Sequence, residues 1–271
     1  MSLLDFFGLK ENPFSITVDS RFFFKSQQHE EALVRLSHAV ENMKGLAVVI
    51  GDVGTGKTTL ATRLLEELET DDYEAAMLIV IHKSVTSEWM LRKIAIQLEV
   101  PEPAEKKTDL LTQLCQRLEE IYESGKKAVV IIDEAQMLHS QELMEDFRGL
   151  LNIEINGRKA VTFVLFGMTE LTNILALDKP LQQRVAVRFQ LRPLDGPATE
   201  DYINYRVHIA GGSRPLFAPE AYPVICQYAG GTPRLINTLC DNALLEAYLR
   251  KQERIEPDLI HDVARDLIPA T

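Results

Sequence analysis

Two hydrophobic periodicities alternate along the chain, and the places where one gives way to the other set the order of elements. Leu46-Ala47-Val48-Val49-Ile50, Ala75 to Ile81, Ala128 to Ile132 and Val161 to Phe166 are continuous apolar runs rich in β-branched residues. Such runs are expected of parallel strands covered on both faces. Helical spacing fills the intervals. Gln28 to Met43 turns Ala32, Leu33, Leu36 and Val40 inward, and Leu60, Leu64 and Leu68 share one face of a helix starting near Gly56. A helix capped by Ser87 carries Trp89, Met90, Ile94 and Leu98 and ends at Pro101 and Pro103. Thr108 is a candidate cap for the next, with Leu110, Leu114, Leu118 and Ile121 in a stripe and Gly125 at its end. A further helix is expected from Ser140 to Asn152. Strands alternating with helices imply an α/β fold with a parallel sheet.

Beyond Pro193 to Pro197, read as a linker, the strand pattern disappears. Helical patterns cover Thr199 to Ile209, Pro219 to Tyr228, Pro233 to Leu249 and Pro257 to Leu267. Three parts are therefore expected: an aromatic-rich segment and helix, 1–44, packed on the core; an α/β core, 45–195; and a small all-α lid, 196–271. The first part holds Phe6, Phe7, Phe14, Phe22, Phe23 and Phe24, with a turn at Asn12-Pro13-Phe14.

Composition narrows the class. Of 271 residues, 46% are hydrophobic and 25% charged, a globular balance with material for a sizeable core. The net charge of −11 opposes general attraction to a phosphate backbone, so nucleic acid is a secondary partner. Cys115, Cys226 and Cys240 are odd in number and widely spaced, which fits reduced core thiols in a cytoplasmic protein. No stretch approaches the ~18 apolar residues of a membrane span, and the N-terminus lacks the h-region of a signal peptide.

The chemistry concentrates at Gly51-Asp52-Val53-Gly54-Thr55-Gly56-Lys57-Thr58, which fills every fixed position of G-x-x-x-x-G-K-[ST]. A strand precedes it and a helix follows, so a polyphosphate is expected on the helix N-terminus. Gly51 to Thr59 are the expected phosphate contacts. Lys57 suits β- and γ-phosphate oxygens, and the Thr58 hydroxyl is a hard ligand for Mg²⁺. Asp133 and Glu134 end an apolar strand, where open α/β sheets bind ligands. Asp133 is placed to support Mg²⁺ and Glu134 to accept a proton from the attacking water. Thr169 is the polar candidate at the tip of the strand 161–166. Arg184 and Arg188 would share a face if their stretch is helical, and either is a candidate arginine finger for a neighbouring subunit. The alternative is a surface charge or local ion pair. Gly230-Gly231-Thr232-Pro233-Arg234 sets a cation in a helix's first turn, which a bound phosphate would compensate. Pro13 and Phe14 have two readings, an adenine wall or core packing. ATP is favoured over GTP because no N-K-x-D base-reading motif follows.

Together these motifs resemble an AAA+ ATPase, the P-loop NTPase fold with a helical lid. The opening Phe6-Phe7-Gly8-Leu9 with Pro13-Phe14, then His29 with Ala32-Leu33, is similar to the start of the ExeA/GspA family of secretion-pathway ATPases. Asp133-Glu134-Ala135-Gln136 and Thr232-Pro233-Arg234-Leu235-Ile236-Asn237 continue the likeness. The resemblance implies Mg²⁺-dependent ATP hydrolysis in a homo-oligomeric ring or helix, driving assembly or remodelling of an envelope machine such as a type II secretion, pilus or exopolysaccharide system. It implies a sensor role for Pro233 and Arg234. Relatives of the GspA type continue into a membrane span and a peptidoglycan-binding segment. A cytoplasmic protein is expected, recruited to the inner membrane through a protein partner or a further C-terminal region. The competing expectation is a transposition-helper ATPase of the TniB/TnsC type, with Lys83 in the loop after the second strand as a DNA contact.

Overall fold

The structure, a computed structural model, describes residues 2–17, 19–82 and 84–267. Lys83 lies outside the described residues. In chain order the helices are α1 (Leu3–Phe7), α2 (Gln27–Glu41), α3 (Lys57–Glu67), α4 (Ser87–Gln97), α5 (Lys107–Glu123), α6 (Gln141–Asn152), α7 (Glu170–Leu177), α8 (Lys179–Gln182), α9 (Gly196–Ile209), α10 (Ala221–Ala229), α11 (Pro233–Leu249) and α12 (Pro257–Leu267). The strands are β1 (Leu46–Gly51), β2 (Tyr73–Ile79), β3 (Lys127–Asp133), β4 (Glu154–Ile155), β5 (Arg158–Lys159), β6 (Val161–Gly167) and β7 (Val185–Leu191).

The chain forms two compact units. One, the sheet unit, holds Gln27–Val53 and Leu60–Leu191. Its main sheet has five strands, all parallel, in the order β2-β3-β6-β1-β7, and β4 and β5 form a separate antiparallel pair. Ile50 pairs with Gly167 and Ile132 with Leu165, so β1, β6 and β3 end along one sheet edge. Residues of β1 and β6 are buried throughout, which is why their sequences are unbroken apolar runs. Each fully buried Leu, Val, Ile or Phe contributes about 1.5–3 kcal/mol from lost apolar exposure.

The other, the helical unit, gathers Met1–Ser26, Gly54–Thr59 and Arg192–Thr271. Its core joins Phe7, Leu9, Phe14 and Phe22 to Tyr202, Ile203, Phe217, Ile225, Ile236 and Leu244. The expected grouping of 1–44 is thus divided: the aromatic segment belongs to the core of the C-terminal helices, and only α2 lies in the sheet unit. Burial pushes the Cys240 thiol well above its ordinary range, so it is an inert core group.

Local differences have local causes. Thr86, not Ser87, caps α4: its backbone is extended and its side chain accepts from the Trp89 N–H, while the Ser87 hydroxyl donates to Asp146. Helix α5 begins before Thr108, after Lys106, with no side-chain cap. Asp195 caps α9 and Pro197 falls in its first turn, so the linker is shorter than Pro193 to Pro197. The stretch holding both candidate finger arginines is not one helix. α8 ends at Gln182, and Arg188 sits on β7 beside Val48 of β1.

Candidate nucleotide site

In the sheet unit, β1 delivers Gly51, with Asp52 and Val53 exposed beyond it. Two strands away, β3 delivers Asp133, which is 1% exposed and accepts a bond from the Glu134 N–H at 2.9 Å. Glu134 takes the left-handed conformation, φ 57°, which turns the chain sharply off the strand into a short 3₁₀ turn at Ala135–Met137. That turn brings Gln136 back against Glu134, its side-chain amide donating to the Glu134 carboxylate at 2.5 Å. The Gln136 carbonyl accepts from the Met168 N–H at 3.0 Å, at the tip of β6. Thr169 is exposed at that tip, and its hydroxyl donates to Asp52 Oδ1 at 3.4 Å. Thr169 therefore does approach the phosphate-loop strand. Gln136 had only a motif resemblance to mark it, and the signal for its role is its position two residues beyond a carboxylate at a strand end.

Arg184 is half-buried, its Nη1 donating to the Arg148 carbonyl at 3.2 Å. Arg188 is exposed on β7, where Val185, Val187 and Phe189 turn inward. The structure does not bring these two arginines to one helical face.

In the helical unit, Gly54 packs against the start of α11. Gly54 has φ +81°, and a Cβ there would lie 2.8 Å from Cβ of Arg234 and 2.9 Å from Cγ2 of Thr232. Only glycine fits both the backbone and the gap. The Arg234 N–H, one of the four donors a helix leaves unsatisfied at its start, donates to the Gly54 carbonyl at 3.3 Å. Of the expected pair Pro233 and Arg234, it is Arg234 that meets the phosphate loop, at Gly54. Thr55 and Lys57 are 1% and 5% exposed, Lys57 opens α3, and Thr58 and Thr59 are half-buried in its first turn.

Pro13 and Phe14 are buried in the same unit. Phe14 packs edge-to-face on Phe217, centroids 6.0 Å apart, so the packing reading holds for its ring. The turn around them is held from three sides. Asn12 accepts from the Phe14 N–H, Arg206 donates through Nε to the Pro13 carbonyl, and its Nη2 donates to the Ser15 carbonyl at 3.0 Å.

The donor chemistry fits a small hard cation. Asp133 and Thr58 offer a carboxylate and a hydroxyl, and Mg²⁺ takes one or two such ligands while phosphates and waters complete its shell. No group of three His, Cys, Asp or Glu residues converges among the described residues, as an all-protein metal cage would require.

The fold, the loop and the paired acids define an ATPase of the AAA class. The chain belongs to the AAA domain family, whose model matches residues 40–175. It is similar to general secretion pathway protein A of Aeromonas hydrophila, with 35% identity over 253 residues, covering 92% of this chain and 46% of the relative. The chain thus spans under half the length of that protein. Among solved structures it resembles Cdc6p from Pyrobaculum aerophilum, with TM-score 0.72, 18% identity, and coverage of 96% of this chain and 71% of that one. The Aeropyrum pernix ORC2 protein gives TM-score 0.70, 17% identity and coverage of 95% and 72%. The Thermotoga maritima RuvB Holliday junction branch migration motor gives 0.57, 19%, and 91% and 70%. At these identities the three share the fold. No helix among the described residues is long and apolar enough to cross a membrane.

Proposed function

We propose that the chain binds ATP with Mg²⁺ on Gly51 to Thr59 and hydrolyses it, using the energy to assemble or remodel a protein machine of the bacterial envelope. The observation that carries the catalytic reading is Glu134, a half-buried carboxylate at the end of a strand two places from the phosphate-loop strand. Lys57 neutralises charge on β- and γ-phosphate oxygens, and the loop's backbone N–H groups hold the phosphates. Thr58 and Asp133 would hold Mg²⁺, which would supply positive charge to stabilise the phosphates. Glu134 takes the proton of the attacking water. Residues 196–271 serve as the lid, with Pro233 and Arg234 reporting on the phosphate. The turn at Pro13 and Phe14 walls the adenine through its backbone, since the Phe14 ring is committed to the core. Arg184 or Arg188 reaches the site of a neighbouring copy in a ring or helical assembly, as arginine fingers do.

The envelope setting rests on the likeness to general secretion pathway protein A. A protein working beside the inner membrane, recruited by a protein partner, fits that reading. The test is Glu134→Gln, which should keep ATP affinity within about twofold and lower steady-state turnover by at least about 10²-fold, the scale of a lost general base. Undiminished hydrolysis would remove Glu134 as the base. The same ATP-trapped variant, immobilised, should retain envelope proteins. Salt-dependent retention of DNA instead would favour the transposition-helper reading, against which the net charge of −11 counts.

A further inference from the structure

We infer that Gln136 is a positioning residue for hydrolysis, tying the Glu134 carboxylate to the tip of β6; the inference rests on the reading of Glu134 as base. The chemistry fixes the direction of both bonds. A carboxylate can only accept and a backbone N–H can only donate, so the Gln136 side chain must give its N–H to Glu134 and its carbonyl to Met168. Gln136 is 6% exposed, so water does not readily replace either partner. Its place is set by close packing as well. A Cβ on Gly167 would lie 3.0 Å from Gln136 Oε1, and two residues further along the tip Thr169 contacts Asp52 of the phosphate loop. The base, the β6 tip and Asp52 are thereby linked through one side chain and one backbone turn, so Glu134 is held where the tip's conformation dictates.

Two variants separate positioning of the base from bracing of the loop. Gln136→Glu keeps an acceptor for the Met168 N–H but removes the donor to Glu134; Gln136→Leu removes both without adding charge. Both should lower kcat for ATP at least about tenfold, in line with the loss from a misplacement of order 1 Å. ATP affinity, read with a fluorescent analogue, should stay within twofold for both. Thermal unfolding should fall for both, in Gln136→Leu because the Met168 N–H loses its partner and in Gln136→Glu because a second buried carboxylate faces Glu134. Full turnover in Gln136→Glu with slow turnover in Gln136→Leu would reduce Gln136 to a loop brace and overturn the inference. Affinity falling in step with kcat would overturn it too. Glu134→Gln, measured alongside, separates the two claims. If it is inactive while both Gln136 variants turn over normally, only this inference fails; if it is active, the reading of Glu134 fails and the inference goes with it.

Discussion

Arg206 carries a charge into the helical unit with 7% of its surface exposed, and its bonds run to carbonyls and a phenol. It donates to Pro13 and Ser15 carbonyls and to the Tyr202 hydroxyl at 3.1 Å, and lies over the Phe22 ring at 4.8 Å. A planar fork with five donors meets this geometry, whereas an ammonium cannot serve all three acceptors at once. Arg206→Met should strand buried acceptors at about 1–3 kcal/mol each, giving a loss of at least about 3 kcal/mol in urea unfolding. Arg206→Lys should recover little of it. If Arg206→Met unfolds at the same urea concentration as the parent, the clamp contributes nothing to stability.

At the scale of elements, the turn before α11 concentrates its demand on one of two adjacent glycines. Gly230 and Gly231 both have positive φ, yet a Cβ on Gly230 meets nothing within 4 Å, whereas one on Gly231 would lie 1.9 Å from the Leu194 carbonyl oxygen. Gly231 also accepts the Leu194 N–H at 2.8 Å, which fastens the chain entering α9 to the chain entering α11. Gly230→Ala should therefore cost about 1–2 kcal/mol, the left-handed penalty alone. Gly231→Ala should lose far more, seen as a much larger drop in thermal midpoint. Equal effects would show that the close approach relaxes cheaply. The buried strands and most helices were legible because burial on both faces writes an unbroken apolar run and burial on one writes a stripe. Val185, Val187 and Phe189 alternate with Ala186, Arg188 and Gln190, a strand signature that the Arg184–Arg188 spacing masked. Thr86 and Ser87 are adjacent hydroxyls, and only the backbone angle chooses between them as caps. The phosphate loop and the Asp133-Glu134 pair were legible because their chemistry demands fixed spacing. The Gln136 link was not, since its second partner lies 32 residues away.

Over the whole molecule, the arginine-finger proposal requires each site to be completed by another copy. Glu134→Gln lacks its base but can lend an arginine; Arg184→Ala or Arg188→Ala lacks the arginine but keeps a base. Mixed in equal amounts, two inactive proteins of this kind should hydrolyse ATP above the sum of the separate samples. Failure of every such mixture to gain activity would confine both arginines to roles within their own subunit. The interleaving of the chain bears on how it is made. Phe7, Leu9, Phe14 and Phe22 are translated well before their core partners, from Leu194 to Ala264. During synthesis that aromatic segment must therefore wait, without its core partners, while the sheet unit's residues are made, so its apolar surface stays open to other contacts until the helices that cover it are complete.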